Sequence, residues 1–410
     1  MKLFIFIFYL SSLGLYLNDL NHLFLILFIL FSFIIVTWSH NESWDNLTLK
    51  GIKGVEIFFV LFLLSILFLF ISWKVNIIWV VFLLEFQSFM ILGACYLFKN
   101  ESLKVKEIEG SLNYIFPAFF SFVLMLVYIL GVSIKFYSIY FNNITLHFIL
   151  LISILTKVGA FPVYAWVSNV FHGVTYSTLL FISIISKIFM IIILLEYIKV
   201  YTFLLLLGGF MSVVISSFVM INQVRIKKFL AFSSVANIGW VLLVLMIPKN
   251  EEIFYLYSSE ILTLFFFIYA FNFILLCSNL KQSSITQTYN LFNIIKSEKQ
   301  STLFFFIIGI SLLSMAGVPP FAGFIGKFII FTYYFSYSLS FTLILVFISS
   351  LFIFIYLRPV ISTYRVNLPY SNLLRQNIKG FYNSSNFIVF TPFLLILNFM
   401  IMFIIFHKSF

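Results

Sequence analysis

The sequence predicts an all-α polytopic membrane protein of about thirteen transmembrane helices, including two inverted five-helix repeats that each contain one broken helix. Three observations predict this fold: the composition, the number of long apolar stretches and a repeated Gly-x-x-Pro motif. Of the 410 residues, 63% are hydrophobic and 9% are charged, and the mean hydropathy is +1.15. Soluble domains carry about 25% charged residues. The composition therefore excludes a soluble enzyme, a nucleic-acid-binding protein and a disordered chain.

Thirteen apolar stretches predict the transmembrane helices. A helix needs about 20 mostly apolar residues to cross a bilayer, because each backbone N–H and C=O must find its partner inside the helix. The first two stretches are short, and the sixth and eleventh are too long and contain Gly and Pro near their middle. The thirteen stretches cover approximately residues 2–16, 22–37, 55–73, 76–98, 113–138, 146–171, 174–197, 200–221, 228–246, 253–279, 301–333, 336–358 and 386–407.

The basic residues of the loops alternate as this number of spans requires. Connections after even-numbered spans contain fifteen Lys and Arg residues, whereas connections after odd-numbered spans contain four. Basic loops stay on the side of synthesis. The alternation therefore predicts that the N-terminus and the basic loops lie on the matrix side, or on the cytoplasmic side of a bacterial membrane. The many Phe, Tyr, Ile, Asn and Lys residues fit an AT-rich organelle genome, because their codons can consist of A and T alone.

A Gly-x-x-Pro motif occurs at Gly159 in the sixth span and at Gly317 in the eleventh. Each copy lies in the fourth of five consecutive spans, and two copies of an odd-numbered unit must have opposite orientations. Inverted repeats with broken helices are typical of secondary transporters, with ion sites near the breaks. Gly and Pro are also common in membrane helices generally, but their equivalent placement in both halves favours a repeat. The predicted domains are N-terminal helices at 1–54, a first repeat at 55–197, a second repeat at 198–358, and a basic loop with a last helix at 359–410.

Four ionisable residues lie well inside the predicted spans. Glu85 and Lys187 are near the middle of the fourth and seventh spans, Lys157 precedes the first motif, and Lys327 follows the second. A charge at mid-membrane costs at least ~2.5 kcal/mol on insertion scales, so such residues are rare and usually functional. Burial disfavours the charged form of a lysine and a nearby carboxylate favours it. The four residues can therefore form coupled proton sites, although Lys157 is near enough to a span end to reach the interface along its stem.

The other polar residues predict no redox or metal site. Cys95 and Cys277 both lie in apolar stretches, which excludes a disulfide framework and a Cys-ligated cluster. Glu196 and Glu260 lie near span ends, where their side chains are expected to reach the interface. The five histidines are scattered and form no paired ligands: His22, His40, His147, His172 and His407.

Three motifs resemble those of the antiporter-like membrane subunits of respiratory complex I, within a resemblance that covers roughly residues 75–360. The first is TKVGAFP at 156–162 with Trp166, followed by Ser186-Lys187. The second runs from Asn222-Gln223 through KKFLAFSSVA at 227–236 to Gly239. The third and most specific is SMAGVPPFAGFIGKF at 314–328. Lys327 separates two branches of the family, because one branch typically has glutamate at this position.

The resemblance implies roles for the four buried charges. Glu85 and Lys157 would form the family's ion pair, Lys187 would be the central proton-carrying lysine, and Lys327 would lead toward one membrane face. The chain would be a proton-translocating subunit of an NADH:ubiquinone oxidoreductase in the mitochondrial inner membrane. Its partners would be other membrane-arm subunits, accessory subunits, and lipids such as cardiolipin at the basic loops. It would bind no cofactor or metal, because NADH, FMN, the Fe–S centres and ubiquinone would belong to other subunits.

Four features depart from the family pattern. Asn113 stands where bacterial relatives have a lysine, and Asn237 stands where the family has a histidine. Residues 167–174 lack the usual Asp, Glu and prolines, although His172 could substitute. Three spans precede Glu85 where the bacterial pattern has four, which suggests the loss of one N-terminal helix.

Two alternative functions stay open at this point. A Mrp-type cation/proton antiporter subunit would share the fold and much of the lysine pattern, but Lys327 and the codon bias argue against it. A scaffold whose lysines no longer carry protons would have no need of four buried ionisable groups. Their combined insertion cost is roughly 10 kcal/mol, which argues against a scaffold.

Overall fold

The structure is a computed structural model that describes residues 81, 84–89, 91–92, 104–135, 143–187, 190–191, 194, 202–246, 258–282 and 302–364. The predicted spans at 2–16, 22–37, 55–73 and 386–407 lie outside these residues. Cys95, Glu196 and the side chain of Glu260 also lie outside them.

The described part of the chain is helical and contains no strand. Residues 84–89 are helical, and a π-helical segment, Phe181–Ile185, directly follows the short helix α4. In chain order the helices are α1 (Lys104–Lys135), α2 (Asn143–Val158), α3 (Ala165–Gly173), α4 (Tyr176–Leu180), α5 (Thr202–Ile221), α6 (Ile226–Leu245), α7 (Ser258–Gln282), α8 (Thr302–Ala316), α9 (Ala322–Tyr337) and α10 (Leu339–Tyr364).

Several helices extend beyond the apolar stretches that predicted them. Helix α1 begins at Lys104 rather than near residue 113, and α10 ends at Tyr364 rather than near residue 358. The added part of α1 contains four charged residues, and the added part of α10 begins with Pro359, so neither continues a uniformly apolar stretch. A helix can continue beyond its apolar stretch because its backbone hydrogen bonds do not depend on side-chain polarity.

Among the residues that the structure describes, five helices are long and apolar enough to cross a membrane. Their candidate spans are Ile108–Val132, Phe203–Ile221, Ile226–Leu245, Ile261–Leu280 and Leu339–Ile361. The spans of α6 and α7 are 89% buried, whereas those of α1 and α10 are 33% buried. Large apolar side chains such as Phe116 and Phe347 are exposed on α1 and α10. In a membrane such surfaces would contact lipid, and α6 and α7 form the interior of their part of the fold.

The sixth and eleventh apolar stretches each form two helices, as predicted. Helix α2 ends before Gly159 and α8 ends before Gly317, and these glycines have φ values of +78° and +81°. Only glycine adopts this conformation at low cost. The N–H groups of Gly159 and Gly317 donate to the carbonyls of Leu155 and Leu313. This is a common way to terminate a helix.

The chain divides into two compact units, with the boundary between Ser212 and Val213. In the first unit α1 packs against α2 and α3. A Cβ atom on Gly110 would lie 2.9 Å from the Cα atom of Gly173, so small residues allow α1 and α3 to approach closely. In the second unit α8 packs against both α7 and α10, and α9 packs against α7, α8 and α10.

Candidate functional site

An ion pair in the first unit joins Glu85 and Lys157. Lys157 lies in the last turn of α2, and its Nζ donates to Glu85 Oε1 at 2.6 Å and to the Leu84 carbonyl at 2.9 Å. The two side chains are only 13% and 5% exposed. A buried charge pair needs further hydrogen bonds to offset its lost hydration, and Leu84 provides one of them. Within the described ranges this is the only salt bridge.

Trp166 stabilises the helix end that carries Lys157. Its indole Nε1–H donates to the carbonyl of Thr156 at 3.1 Å. Its ring lies edge-to-face against Tyr114 of α1, with the ring centroids 5.6 Å apart. Trp166 therefore contacts both the end of α2 and α1, and it holds the turn beyond Lys157 against the rest of the unit.

Lys187 is buried immediately after the π-helical segment. Its exposed fraction is 3%, and the hydroxyl of neighbouring Ser186 donates to the Ile182 carbonyl at 2.6 Å. One extra residue in a helical turn changes the direction of the following side chains by about 100° relative to a regular α-helix. The sequence predicts Lys187 within a span, but its hydropathy does not predict the π turn that orients the side chain.

Lys327 lies in α9, and its side chain contacts the C-terminal end of the preceding helix, α8. Its Nζ donates to the carbonyl of Ala316 at 2.6 Å and lies 3.4 Å from that of Met315, at the C-terminal end of α8. The partial negative charge of a helix C-terminus favours a cation there. The rings of Trp240 and Phe352 lie 5.6 and 5.5 Å from Nζ, within the range of cation–π contact. In the part of the chain that the structure describes, no carboxylate lies within salt-bridge distance of Lys327.

Gly317 leaves the space that the Lys327 side chain occupies. A Cβ atom at this position would lie 2.8 Å from Lys327 Cδ and 3.0 Å from Nζ. Position 317 therefore favours glycine for two reasons: its backbone φ is positive, and the Lys327 side chain occupies the space that a Cβ atom would need.

A small cavity with both polar and apolar lining residues lies next to Lys327. Its volume is about 20 Å³, and its lining includes Asn237, Tyr269, Asn272 and Ser314. The amide of Asn272 donates to the Ile268 carbonyl and to Ser314 Oγ, both at 2.8 Å. Asn237 and Lys327 therefore line the same cavity.

Lys227 is a buried lysine that the sequence places in a basic loop. Helix α6 begins at Ile226, so Lys227 lies in its first turn, where its exposed fraction is 2%. Arg225 is exposed and Lys228 is half-buried. A count of loop charges cannot tell which of these three basic residues is buried, because the direction of each side chain depends on where the helix begins. Lys227 is three and four residues from Leu230 and Ala231, so the three residues share one helical face. This spacing is the sequence signal that could have identified Lys227 as buried.

The remaining candidates are described only in part. Asn113 is half-buried in α1, and His172 is half-buried in the last turn of α3. Cys277 is a buried free cysteine of α7. Among the residues described, no group of three or more His, Cys, Asp and Glu residues is placed to hold a metal ion.

Comparison with known proteins identifies one matching family model. The model describes the transmembrane part of NADH:quinone oxidoreductase and Mrp antiporter subunits, and it matches residues 57–353. The match covers more than half of the chain and contains the four predicted site residues.

Two curated relatives agree with this family. The chain is 31% identical over 194 residues to NADH-ubiquinone oxidoreductase chain 2 of Rhizopus oryzae, which is 44% of this chain and 36% of the relative. It is 27% identical over 346 residues to NADH-quinone oxidoreductase subunit N 2 of Thermodesulfovibrio yellowstonii, which is 80% of this chain and 74% of the relative. The match to the Rhizopus protein thus spans only about a third of that relative.

Two solved structures have a similar fold. A chain of respiratory complex I from Thermus thermophilus matches 85% of this chain and 77% of its own length, with a TM-score of 0.65 and 15% identity. A chain of the Mrp complex from Dietzia sp. DQ12-45-1b matches 85% of this chain and 66% of its own length, with a TM-score of 0.62 and 13% identity.

Proposed function

The chain belongs to the family of membrane subunits shared by NADH:quinone oxidoreductases and Mrp antiporters, and we propose that it translocates protons in the membrane arm of an NADH:ubiquinone oxidoreductase. Within this family the names of the curated relatives favour subunit 2, also called subunit N. Glu85, Lys157, Lys187 and Lys327 carry the protons, and quinone reduction elsewhere in the complex drives the transfer.

The observation that supports this proposal is the buried contact between Glu85 and Lys157, 2.6 Å long, at the end of a broken helix. In a membrane interior, a nearby carboxylate stabilises the charged form of a lysine. Separating the two groups therefore favours release of the lysine proton. A change that moves Glu85 away from Lys157 can therefore drive a proton from Lys157. Lys187 and Lys327 are buried as well, so each can respond in the same way to a change in its surroundings.

The proposed architecture has thirteen transmembrane helices and two inverted five-helix repeats. The repeats occupy 55–197 and 198–358, with N-terminal helices at 1–54 and a basic loop and last helix at 359–410. The similar helix ends at Gly159 and Gly317 support this arrangement, since both glycines have positive φ and both donate to a leucine carbonyl four residues earlier. In such repeats the ion sites lie near the breaks, as Lys157 and Lys327 do here.

The proposed setting is the mitochondrial inner membrane, with the N-terminus and basic loops on the matrix side. Other membrane-arm subunits, accessory subunits and anionic lipids such as cardiolipin are the proposed partners. NADH, FMN, the Fe–S centres and ubiquinone are bound by other subunits, and this chain binds no cofactor of its own. The names of the mitochondrial-type relatives and the alternating loop charges support this setting.

Replacing Lys187 tests the proposal. In the assembled complex, Lys187→Met should abolish most proton pumping and slow the coupled reduction of quinone, because the apolar side chain cannot hold a proton. Electron transfer from NADH to a hydrophilic artificial acceptor should continue, since it does not use the membrane arm. Lys228→Met, a lysine replaced in the same way at a half-buried helix start, serves as the control. Normal pumping by an assembled Lys187→Met complex would remove Lys187 from the proton path.

The second candidate function is that of a Mrp-type cation/proton antiporter subunit, which the family model and the Dietzia fold match both allow. Purification distinguishes the two functions. A large NADH-oxidising assembly supports the first function. A small complex that exchanges sodium or potassium for protons in vesicles, without electron transfer, supports the second.

A further inference from the structure

Ser88 lies one helical turn after Glu85 and contacts its carboxylate. Its Oγ is 2.6 Å from the backbone carbonyl oxygen of Glu85 and 3.2 Å from Oε2 of the same residue. Ser88 is buried, with an exposed fraction of 3%. Hydrogen bonds to an ionised group are roughly twice as strong as those between neutral groups. The Ser88 hydroxyl is therefore placed to bind the charged carboxylate of the ion pair from the side of its own helix.

The two carboxylate oxygens of Glu85 have different partners. Lys157 Nζ donates to Oε1 at 2.6 Å and to the Leu84 carbonyl at 2.9 Å, whereas Ser88 lies at Oε2. The last side-chain torsion of a glutamate has a broad energy minimum, so the chain itself does not fix the plane of the carboxylate. A partner on each oxygen does fix this plane. The geometry of the ion pair therefore depends on Ser88 as well as on the two charged residues.

Ser121 and Ser153 show what a buried serine commonly does in a helix of this protein. Their hydroxyls donate to the carbonyls of Ala118 and Leu150, three residues earlier, at 2.7 and 2.5 Å. Such bonds serve the backbone of the helix. Ser88 makes the same backbone bond, but a carboxylate oxygen is a second acceptor within reach of its single hydrogen. This second acceptor distinguishes Ser88 from a serine with a purely local role.

The hydroxyl of Ser88 suits both protonation states of Glu85. A hydroxyl group has one O–H donor and two acceptor lone pairs. It can donate to the charged carboxylate, and it can instead donate to the backbone carbonyl of Glu85 while accepting the O–H of a protonated carboxyl. Ser88 keeps its own proton in both arrangements, and only the direction of its O–H bond changes. A methyl group at this position could do neither.

We propose that Ser88 is a positioning residue for Glu85: it holds Oε2 so that Oε1 faces Lys157, and it satisfies the carboxyl group in both protonation states. This inference rests on the proposed function of the Glu85–Lys157 pair. Ser88 carries no proton through the membrane and acts through Glu85. Its loss allows the carboxylate to rotate, so a smaller fraction of the complexes has Oε1 in contact with Lys157 at any moment. Turnover that needs this contact slows in proportion.

Replacing Ser88 tests the inference in the assembled complex. Ser88→Ala should slow coupled quinone reduction and proton pumping about fivefold, which corresponds to ~1 kcal/mol in a barrier. Ser88→Thr restores a hydroxyl, and threonine can place this group on the carbonyl of the preceding turn, so most of the rate should return. A role in packing alone would not be restored in this way, because threonine differs from serine in volume.

Ser121→Ala is the matched control. Ser121 is a buried serine of α1 that donates to the carbonyl three residues earlier, as Ser88 does, and its acceptor is the backbone of Ala118. This variant should keep the full rate. In all three variants, electron transfer from NADH to a hydrophilic artificial acceptor and the temperature of thermal unfolding should stay close to those of the unchanged complex, because the inference concerns the ion pair and not assembly.

The outcomes separate this inference from the proposed function. Slow turnover in Glu85→Gln with normal turnover in Ser88→Ala overturns the role of Ser88 alone, whereas normal turnover in Glu85→Gln overturns the role of Glu85 itself. Equal losses in Ser88→Ala and Ser88→Thr also overturn the positioning role of Ser88, as does an equal loss in Ser121→Ala. If Ser88→Ala does not assemble, a cryo-EM map of the unchanged complex decides. Ser88 Oγ within hydrogen-bonding distance of a Glu85 carboxylate oxygen supports the inference, and a longer distance overturns it.

Discussion

Glu85 and Lys157 are 72 residues apart in the sequence, yet Glu85 Oε1 and Lys157 Nζ are 2.6 Å apart in the structure. Lys327 is held differently, by the carbonyl of Ala316 at the end of α8 and by two aromatic rings. The first lysine therefore has a full negative charge as its partner, and the second has only partial charges. Moving one carboxylate changes the surroundings of Lys157 strongly, whereas Lys327 depends on the geometry of a helix end.

Removal of the Glu85 charge should destabilise the chain more than removal of both charges. Glu85→Gln leaves Lys157 buried without its carboxylate, and breaking a buried ion pair in this way costs about 3–5 kcal/mol. The double variant Glu85→Gln/Lys157→Met replaces the ammonium with an apolar side chain of similar length, so the abundance of the assembled complex should recover. Abundance is measured by native gel electrophoresis with staining for NADH oxidation.

The same variants separate stability from pumping. Both the single and the double variant should lose proton pumping, because neither retains the pair. If the double variant assembles no better than Glu85→Gln, the two residues do not depend on each other in the way that their contact indicates.

A side chain at Gly317 should displace Lys327. Gly317→Ala places a Cβ atom 2.8 Å from Lys327 Cδ and forces alanine into a positive φ, which costs roughly 1–2 kcal/mol. The assembled complex should unfold at a lower temperature and pump less. Both changes are measured on the purified complex, by thermal unfolding and in sealed vesicles.

Gly208→Ala is the control for this prediction. Gly208 lies within α5 at an ordinary helical φ, and its nearest contacts would be the side-chain atoms of Leu155 at 3.3 and 3.7 Å. Alanine favours a helix interior by about 0.5–1 kcal/mol over glycine, which offsets a slight adjustment of Leu155. A larger loss in Gly208→Ala than in Gly317→Ala would contradict the role assigned to the Gly317 turn.

Arg358 should stabilise the second unit through a helix end. Its Nη1 donates to the carbonyl of Ile221, the last residue of α5, at 2.7 Å, and its guanidinium lies 5.3 Å from the ring of Phe354. Arg358→Met should lower the free energy of unfolding by about 1.5–3 kcal/mol, the range for hydrogen bonds to charged groups. Limited proteolysis at residues 222–225 should become faster. Lys228→Met, which changes a half-buried lysine in the first turn of α6, should have little effect. Equal acceleration in both variants would contradict this role of Arg358.

Local features of the chain predicted the helix breaks. Gly159 and Gly317 mark where α2 and α8 end, because glycine adopts a positive φ at little cost and a proline follows each of them within three residues. The same local chemistry did not predict the π turn before Lys187 or the inward direction of Lys227. These depend on where a helix begins and how its turns are wound, and the average hydropathy of a stretch carries neither piece of information.

The sequence by itself determined that the protein is a helical membrane protein with broken helices and a few buried charges. It could do so because hydropathy, helix breakers and isolated charges act within a few turns of the chain. The pairing of Lys157 with Glu85 was expected only through the resemblance to a known family. Only the tertiary structure decided that Lys157 also contacts the Leu84 carbonyl, that Lys327 binds the end of α8, and that Asn237 and Asn272 line one cavity beside it. Each of these contacts joins residues from different helices, and their formation depends on how the helices pack, which no single stretch of sequence contains.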